Sequence, residues 1–295
     1  MMRALYTAAS GMRAQQTNVD NISNNIANVN TTAFKSQKTE FKSLLYQTIQ
    51  TRTTSANGEE KPIGAQVGLG TRVASNTTSY TQGALLEDES KSAFAIEGNG
   101  FFQVRGADGT TYYTRNGNFN WSIGPTGTTL TNTDGYPVLD SNGNTIVLPN
   151  NVNSGKAVVT TDGQVGYYNN AGAYVSMNRT IGLSQFNNPA GLEKAGSNLL
   201  RATNASGAAL NEATNANLTR SKIHQGYLEG SNVQVADEMV NLIVAQRAYQ
   251  LNSKAITTSD DMLEKARKHR DAHTYTALGW DEFVEMLEQA NNLKR

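Results

Sequence analysis

Residues 5–29, LYTAASGMRAQQTNVDNISNNIANV, place apolar side chains in a seven-residue repeat. The repeat has two lines of positions, three residues apart: Leu5, Met12, Val19 and Ile26 in the first, and Ala8, Gln15, Ile22 and Val29 in the second. A seven-residue repeat keeps one stripe of a helix facing a partner helix. The stretch therefore predicts an amphipathic helix over residues 2–29 that packs against another helix. Its many asparagines, which are poor helix formers, point to amide pairing with neighbouring elements.

The same spacing returns near the other end of the chain and predicts a second helix over residues 233–264. Its apolar line consists of Val235, Leu242, Tyr249, Ile256 and Leu263. The companion positions four residues further on begin with Met239 and then turn polar, at Gln246, Ser253 and Asp260. Because both ends carry heptads, we expect the two helices to fold back on one another and to pack against copies of themselves.

The middle of the chain has the signals of antiparallel hairpins. Short strand-like segments alternate with Asn-Gly and Asp-Gly pairs, which favour tight hairpin turns because both positions tolerate positive φ. These pairs are Asn99-Gly100, Asp108-Gly109, Asn116-Gly117, Asp134-Gly135, Asn142-Gly143 and Asp162-Gly163. We therefore predict an α+β fold, with paired terminal heptad helices and a central antiparallel β-domain.

The predicted division of the chain has six parts. They are an assembly helix (1–30), a connecting segment with an extended loop (31–91), the β-domain (92–186), an irregular return segment (187–232), a second assembly helix (233–264) and an atypical charged tail (265–295). The tail has a basic half and an acidic half around Thr274–Gly279. We predict a helix break there, a charged helical hairpin and an insertion at 265–288.

Composition excludes several classes of function. The chain has 25 basic and 25 acidic residues, so it lacks the positive charge that nucleic-acid binding requires. It has no cysteine, which excludes disulfides and thiolate chemistry. No apolar run is long enough to cross a membrane. The first residues lack the apolar core of a secretory signal, so work outside the cytoplasm would require another export route.

Catalytic and metal sites have little support. Asp140-Ser-Asn-Gly-Asn144 opens like a calcium loop, but Thr145 and Asn151 stand where glycine and glutamate are required. His269 and His273 have the i, i+4 spacing of metal ligands, without a third ligand nearby. A dispersed pair of carboxylates would suit a glycosidase, and the sequence alone leaves that open. We predict no catalytic residue, no cofactor and no metal.

Several longer motifs, in this order, resemble the flagellar rod and hook family. They are residues 5–12 (LYTAASGM), 24–35 (NNIANVNTTAFK), 228–233 (LEGSNV), 238–240 (EMV) and 245–249 (AQRAY). Residues 66–73 (QVGLGTRV) and 95–102 (AIEGNGFF) are most similar to its distal-rod branch. The resemblance covers about residues 1–264. It departs at Ala33, where the family usually has glycine, so a positive φ there would be strained. The tail after Glu264 has no family counterpart.

The resemblance implies a non-enzymatic subunit of the flagellar distal rod, which polymerises helically into a hollow drive shaft and transmits torque. It also implies export through the flagellar type III apparatus without a cleaved signal, and location in the basal body. The implied partners are further copies of the chain, proximal-rod, hook-junction and hook proteins, and the surrounding bushing rings, with no nucleic acid and no membrane insertion. The alternatives are a proximal-rod or hook subunit or, from a different class, a secreted β-rich adhesin or cell-wall hydrolase.

The heptad positions are the predicted assembly interface. They are Leu5, Ala8, Met12, Val19, Ile22, Ile26, Val29, Val235, Met239, Leu242, Tyr249, Ile256 and Leu263.

Overall fold

The computed structural model describes residues 2–50, 65–124, 127–149, 152–169, 172–215 and 217–292, with the side chains of all these except residues 2, 50 and 269–292. The chain forms two compact units. The helix-and-arm unit consists of Met1–Asp20, Thr39–Ser75 and Asn241–Arg295. The β unit consists of Asn21–Lys38 and Asn76–Val240.

Two long helices lie at the two ends of the chain, as the heptads predict. Helix α1 spans Met2–Ala27 and helix α2 spans Val235–Asn292. Asp237 and Glu238 lie in the first turn of α2, where negative charge stabilises the helix dipole. The predicted break at Thr274–Gly279 is wrong, because α2 continues through it, and the predicted hairpin is therefore absent. One glycine costs a helix only about 1 kcal/mol, too little to end it.

The described residues between the helices form short strands and two 3₁₀ turns. The strands are β1 (Gln37–Ser43), β2 (Tyr46–Gln50), β3 (Ala65–Gly68), β4 (Thr71–Thr78), β5 (Leu85–Glu87), β6 (Phe94–Glu97), β7 (Phe101–Arg105), β8 (Thr111–Thr114), β9 (Phe119–Gly124), β10 (Gly127–Asn132), β11 (Val147–Leu148), β12 (Ala157–Val159), β13 (Gln164–Tyr168), β14 (Tyr174–Thr180), β15 (Leu183–Gln185), β16 (Glu193–Gly196), β17 (Leu199–Arg201), β18 (Leu210–Asn211), β19 (Lys222–Gln225) and β20 (Tyr227–Glu229). The 3₁₀ turns are Ser154–Lys156 and Pro189–Gly191.

The predicted antiparallel β-structure is confirmed, and it is built from several small sheets. A six-stranded sheet has the order β16-β17-β8-β7-β15-β18, and two three-stranded sheets have the orders β11-β10-β9 and β12-β13-β14. The pairs β19-β6, β20-β5, β1-β4 and β2-β3 complete the described set. The segment predicted to be irregular, 187–232, contains β16 to β20 and completes these sheets, so that prediction missed five short strands.

The core of the β unit is formed by side chains from the sheets. Phe94, Phe102 and Phe119 are fully buried, and the Phe102 and Phe119 rings meet edge to face at 5.1 Å. Four of the predicted turn glycines have positive φ, at 109, 135, 143 and 163. Gly117 serves a different purpose, because a Cβ there would collide with the carbonyl oxygen of Phe94. Thus the hairpin signals located the turns, while one of the glycines is needed for close packing.

Candidate assembly surfaces

The two terminal helices pack against each other in antiparallel directions within the helix-and-arm unit. A Cβ at Gly11 would lie 2.8 Å from the Asn252 amide nitrogen, so the helices meet closely there. Further along α1, Gln16 and Val19 line a groove with Gln246 and Tyr249. Because α1 numbers rise as α2 numbers fall, the pair runs antiparallel.

The predicted interface residues of α1 share one face. Ala8 and Ile22 are buried, and Leu5, Met12, Val19 and Ile26 are half-buried. Val29, which is also half-buried, lies in the turn after Ala27, where the helix has ended. On α2, Leu242, Ile256 and Leu263 are half-buried, whereas Val235, Met239 and Tyr249 are exposed. These exposures describe the residues in a single chain. Their role in assembly stays a prediction.

The covered face of α2 has a companion line that the sequence reading missed. Each of its positions lies three residues after a position of the apolar line, whereas the predicted companion positions lie four residues after it. Ala245 on this line is only 2% exposed, and Asn252 and Ser259 are half-buried. Small and polar residues gave no apolar signal, although small residues let helices approach closely. The contact between Gly11 and Asn252 lies on this line.

Helix α2 also carries apolar side chains on the opposite side. We call Ile243, Val244 and Leu251 the outer stripe; they are 57%, 61% and 70% exposed. At 3.6 residues per turn these positions fall within about 100° of the helix circumference, roughly opposite Ala245. Nothing within the described part of the chain covers them. An apolar stripe of this kind is typical of a protein-binding surface.

The strands β2 and β3 form a two-stranded arm with further exposed apolar residues. Leu45 is 82% exposed, Tyr46 62% and Ile49 59%. The chain contacts α1 directly after the arm, at the start of β4, where the Thr71 backbone N–H donates to the Ser10 hydroxyl at 3.2 Å. A two-stranded ribbon is marginally stable in water by itself. The arm therefore requires further contacts to be held in place.

A buried ion cluster lies in the β unit where the chain enters and leaves it. We call Lys35, Arg115 and Glu229 the clasp. The Glu229 carboxylate, which is fully buried, accepts from Lys35 Nζ at 2.6 Å and from Arg115 Nε at 2.9 Å. The Gly83 backbone N–H donates to it at 3.0 Å. The clasp thus ties together residues that follow α1, residues that precede α2, and Arg115, which directly follows β8.

Burial and the neighbouring charges shift the pKa values of both Glu229 and Lys35 in the clasp. Burial raises the pKa of Glu229, but the charges of Arg115 and Lys35 outweigh this effect and hold the pKa below its usual value. Burial is the largest influence on Lys35 and, with the charge of Arg115, holds the pKa of Lys35 below its usual value although Glu229 raises it. Sequence reasoning missed the clasp because its members are far apart in the chain and follow no local pattern.

Two asparagines join the same region through their side-chain amides. Asn25 is 1% exposed; its amide nitrogen donates to the Gln37 carbonyl at 2.9 Å and to a Glu238 carboxylate oxygen at 3.1 Å. Asn232 accepts from the Ser36 N–H at 2.7 Å and donates to the Ser79 carbonyl at 2.9 Å. For Asn25, the amide pairing expected from the asparagine-rich sequence is confirmed.

The backbone at Ala33 has the positive φ that the resemblance implied. Its φ is +56°, a left-handed conformation that costs a residue with a Cβ about 1–2 kcal/mol. The conformation directs the Ala33 N–H to the Glu229 carbonyl, at 2.7 Å. The strained conformation of Ala33 is therefore stabilised by a hydrogen bond to Glu229, the residue whose carboxylate lies at the centre of the clasp.

The residues considered for metal binding have other partners. Asp140 is buried, and its carboxylate accepts from the Asn142 and Asn144 N–H groups and from Arg179. The described residues contain no group of three side chains that could hold a metal ion. His224 pairs with Glu97 at 2.8 Å, and the side chains of His269 and His273 lie outside the described residues. Neither described helix has an apolar stretch long enough to cross a membrane.

Three family models match the chain in order. They are "Flagella basal body rod protein" over residues 5–35, "Flagellar hook protein FlgE/F/G D1 domain" over 95–167 and "Flagellar basal body rod FlgEFG protein C-terminal" over 224–268. The last of these matches ends at 268, near the start of the charged tail.

Relatives match over almost their entire length. The flagellar basal-body rod protein FlgG of Borreliella burgdorferi is 42% identical over 264 residues, which is 89% of this chain and 97% of that protein. FlgG of Bacillus subtilis is 39% identical, over 90% of this chain and 98% of that protein. The flagellar hook-basal body complex protein FlhP of Bacillus subtilis is 32% identical, over 89% and 97%. These identities and coverages show that the chain belongs to the flagellar basal-body rod family, whose members are structural proteins and not enzymes.

Proposed function

We propose that this chain is a subunit of the flagellar distal rod, and that its copies polymerise helically into a hollow shaft that transmits torque. The observation that carries the proposal is the outer stripe of α2. Its apolar residues lie opposite the face that pairs with α1, so a second helix surface remains for a neighbouring copy. Similarity to proteins named FlgG, at about 40% identity, supports the distal rod.

Helical polymers need contacts that do not close on themselves, in which different patches of neighbouring copies meet. The chain offers several such patches in the outer stripe and the arm. Isolated helices and ribbons are marginal in water, so assembly with neighbours supplies the burial that one chain lacks. A densely packed polymer resists compression, as torque transmission requires.

The same proposal covers location, partners and export. The subunit would lie in the basal body, joined to proximal-rod and hook-junction or hook proteins and surrounded by the bushing rings. It would reach its place through the flagellar type III export apparatus without a cleaved signal. The absence of cysteine supports this route, since no disulfide can prevent an extended chain from passing a narrow channel.

A hook or proximal-rod subunit is the second candidate. It is favoured by the similarity to FlhP, named as a hook-basal body complex protein, although that identity of 32% is lower than the 42% to the FlgG of Borreliella burgdorferi. Complementation of strains that lack either kind of subunit would distinguish the two roles.

The proposed polymerisation can be tested by electron microscopy of the purified full chain at high concentration, together with motility of cells that depend on it. We expect tubes from the unmodified chain and none from Leu251→Glu, because a charge buried in a subunit contact costs several kcal/mol. Gln250→Glu is the matched control, since Gln250 is exposed beside Leu251 but outside the outer stripe. Tubes from Leu251→Glu, or none from the unmodified chain, would contradict the proposal.

The predicted interface between the helices can be tested in the same assay. Met12→Glu and Leu242→Glu should abolish polymerisation, because each places a charge on a half-buried apolar position. Ala9→Glu, at an exposed position of α1 outside the groove that Gln16 lines, should be far milder. Equal losses for these variants and the control would exclude the heptad assignment.

A further inference from the structure

A cleft of about 240 Å³ in the β unit lies between the turn that follows α1 and the β16–β17 hairpin. Its apolar wall consists of Ala33, Phe34, Leu199 and Leu200. Backbone with positive φ borders it on both sides, at Ala33 and at Ser197–Asn198. The Asn198 amide nitrogen donates to the Thr32 carbonyl at 3.3 Å, which fixes the two sides together. The cleft is therefore a formed feature of one unit.

The polar lining of the cleft consists mainly of donors. Lys194 and Tyr80 line it together with Ser197, and within the described part of the chain the side chains of these three residues have no hydrogen-bonded or ion-paired partner. Lys194 Nζ lies 5.9 Å from the centroid of the Phe34 ring. Burial lowers the pKa of Lys194 and raises the pKa of Tyr80 to about 12. An ammonium group and two hydroxyl groups thus belong to residues that line the cleft, and Lys194 and Ser197 are exposed, so a partner can reach them.

The charge of the cleft is unbalanced. Lys35 and Arg115 also line it, but their charges share the single carboxylate of Glu229. With Lys194 included, three positive groups are accompanied by one negative group. An acidic group with an apolar stem would complement both this charge and the wall formed by Phe34 and Leu199.

An acidic turn elsewhere in the β unit has the complementary properties. Glu87, Asp88 and Glu89 are the only run of three acidic residues in the sequence. Glu87 and Glu89 are exposed, and neither forms an ion pair in the described residues. Leu86, directly before them, is 55% exposed. The turn therefore presents carboxylates beside an uncovered apolar side chain.

We infer that the cleft of one copy binds the acidic turn Glu87–Glu89 of a neighbouring copy. A carboxylate of the turn accepts from Lys194 and Ser197, and Leu86 covers the apolar wall beside Phe34. Cleft and turn are different patches of one chain, so the contact repeats from copy to copy without closing, as a helical polymer requires. The inference rests on the proposed polymerisation and adds a specific contact to it.

The absence of cysteine allows a direct test in the assembled full chain. A variant with Ser197→Cys and Glu89→Cys should give, after oxidation of the rods with copper–phenanthroline, a ladder of dimers, trimers and larger species on a non-reducing gel. The two single variants should give no ladder. A chain with Ser197→Cys and Asp134→Cys is the matched control, because Asp134 is also an exposed acidic turn residue. Rods that form without a ladder from the first pair would overturn the inference.

A charge exchange provides the second measurement. Lys194→Glu should reduce the number of assembled rods at least tenfold without changing the melting temperature of the monomer, because like charges across a contact repel. Adding Glu87→Lys and Glu89→Lys should restore assembly, while Lys222→Glu, an exposed lysine of the same unit, should have little effect. If the two added lysines do not restore assembly, the inference is wrong. This outcome decides the question even if the variant with two cysteines forms no rods and cannot be cross-linked. Failure of the unmodified chain to form rods would instead count against the proposed function.

Discussion

The β unit and the helix-and-arm unit bury their apolar residues in different ways. In the β unit, Phe94, Phe102 and Phe119 are fully enclosed by the chain's own sheets. In the helix-and-arm unit, Leu45 and Leu251 remain 82% and 70% exposed. Both units have regular secondary structure, so the difference lies in which surfaces the single chain covers. The β unit thus encloses a core of its own, whereas the described residues of the helix-and-arm unit leave the apolar side chains of the outer stripe and the arm uncovered.

The largest expected effect comes from truncating the enclosed core. Phe102→Ala should lower the free energy of unfolding by about 3–5 kcal/mol, through lost burial and the cavity left behind. Leu251→Ala, on the exposed outer stripe, should change it by less than about 0.5 kcal/mol in the monomer. Urea denaturation followed by circular dichroism measures both. Equal losses would mean that the two units are not stabilised differently.

The clasp should show the next largest effect. Glu229→Gln leaves the charges of Lys35 and Arg115 buried without a counter-charge, and should cost about 3 kcal/mol. Glu193→Gln is the control, because its pair with Arg201 is more than half exposed and should contribute less than about 1 kcal/mol. The same denaturation experiment compares the two. A mild effect at Glu229 would show that the cluster is not needed to hold the β unit.

The clasp should also make the β unit sensitive to acid. Because the pKa of Glu229 is lower in the folded chain than its ordinary value of 4.5, the unfolded chain binds more protons in the acid range. The contribution of Glu229 to the free energy of unfolding is therefore fully present above pH 4.5, and it is lost as the pH falls through the lowered pKa. Thermal unfolding between pH 7 and pH 3 should show a smaller decline for Glu229→Gln. An unchanged decline would assign the acid sensitivity to other carboxyl groups.

A smaller effect is expected at the strained turn. Ala33→Gly should raise the free energy of unfolding by up to about 1 kcal/mol, because glycine adopts a φ of +56° without the Cβ clash. Ala84→Gly, at a residue without positive φ, should lower stability by about 0.5–1 kcal/mol instead. Differential scanning calorimetry resolves the opposite signs. The same sign for both would remove the argument that strain is stored at Ala33.

The smallest effect is expected from deleting residues 265–288. Gly11 faces Asn252, and α1 begins nine residues before Gly11, so its start lies near Asp261 of the antiparallel α2. Beyond that point α2 has no residue of α1 beside it. The deletion should leave monomer stability unchanged and preserve or improve tube formation, counted by electron microscopy against the full chain. Loss of tubes in the deletion alone would make the segment a working part of the subunit.

The sequence predicted what local patterns encode. The heptads predicted both helices and their pairing, and the Asp-Gly and Asn-Gly pairs predicted hairpin turns in the middle region. Ala33 was expected to have a positive φ only because the family usually has glycine there. The short strands β16 to β20 were missed because two to four residues carry too little periodicity to identify. The clasp and the cleft depend on residues that only the completed fold brings together.

The contact between Gly11 and Asn252 has a consequence for the order of events in time. It joins two residues 241 positions apart, so almost the whole chain must be present before the first helix meets its partner. Contacts of such long sequence separation form late, because the chain loses the entropy of closing the loop before the contact stabilises the fold. A chain that emerges one end first, from a ribosome or from a channel, therefore keeps its two ends apart until its passage is nearly complete.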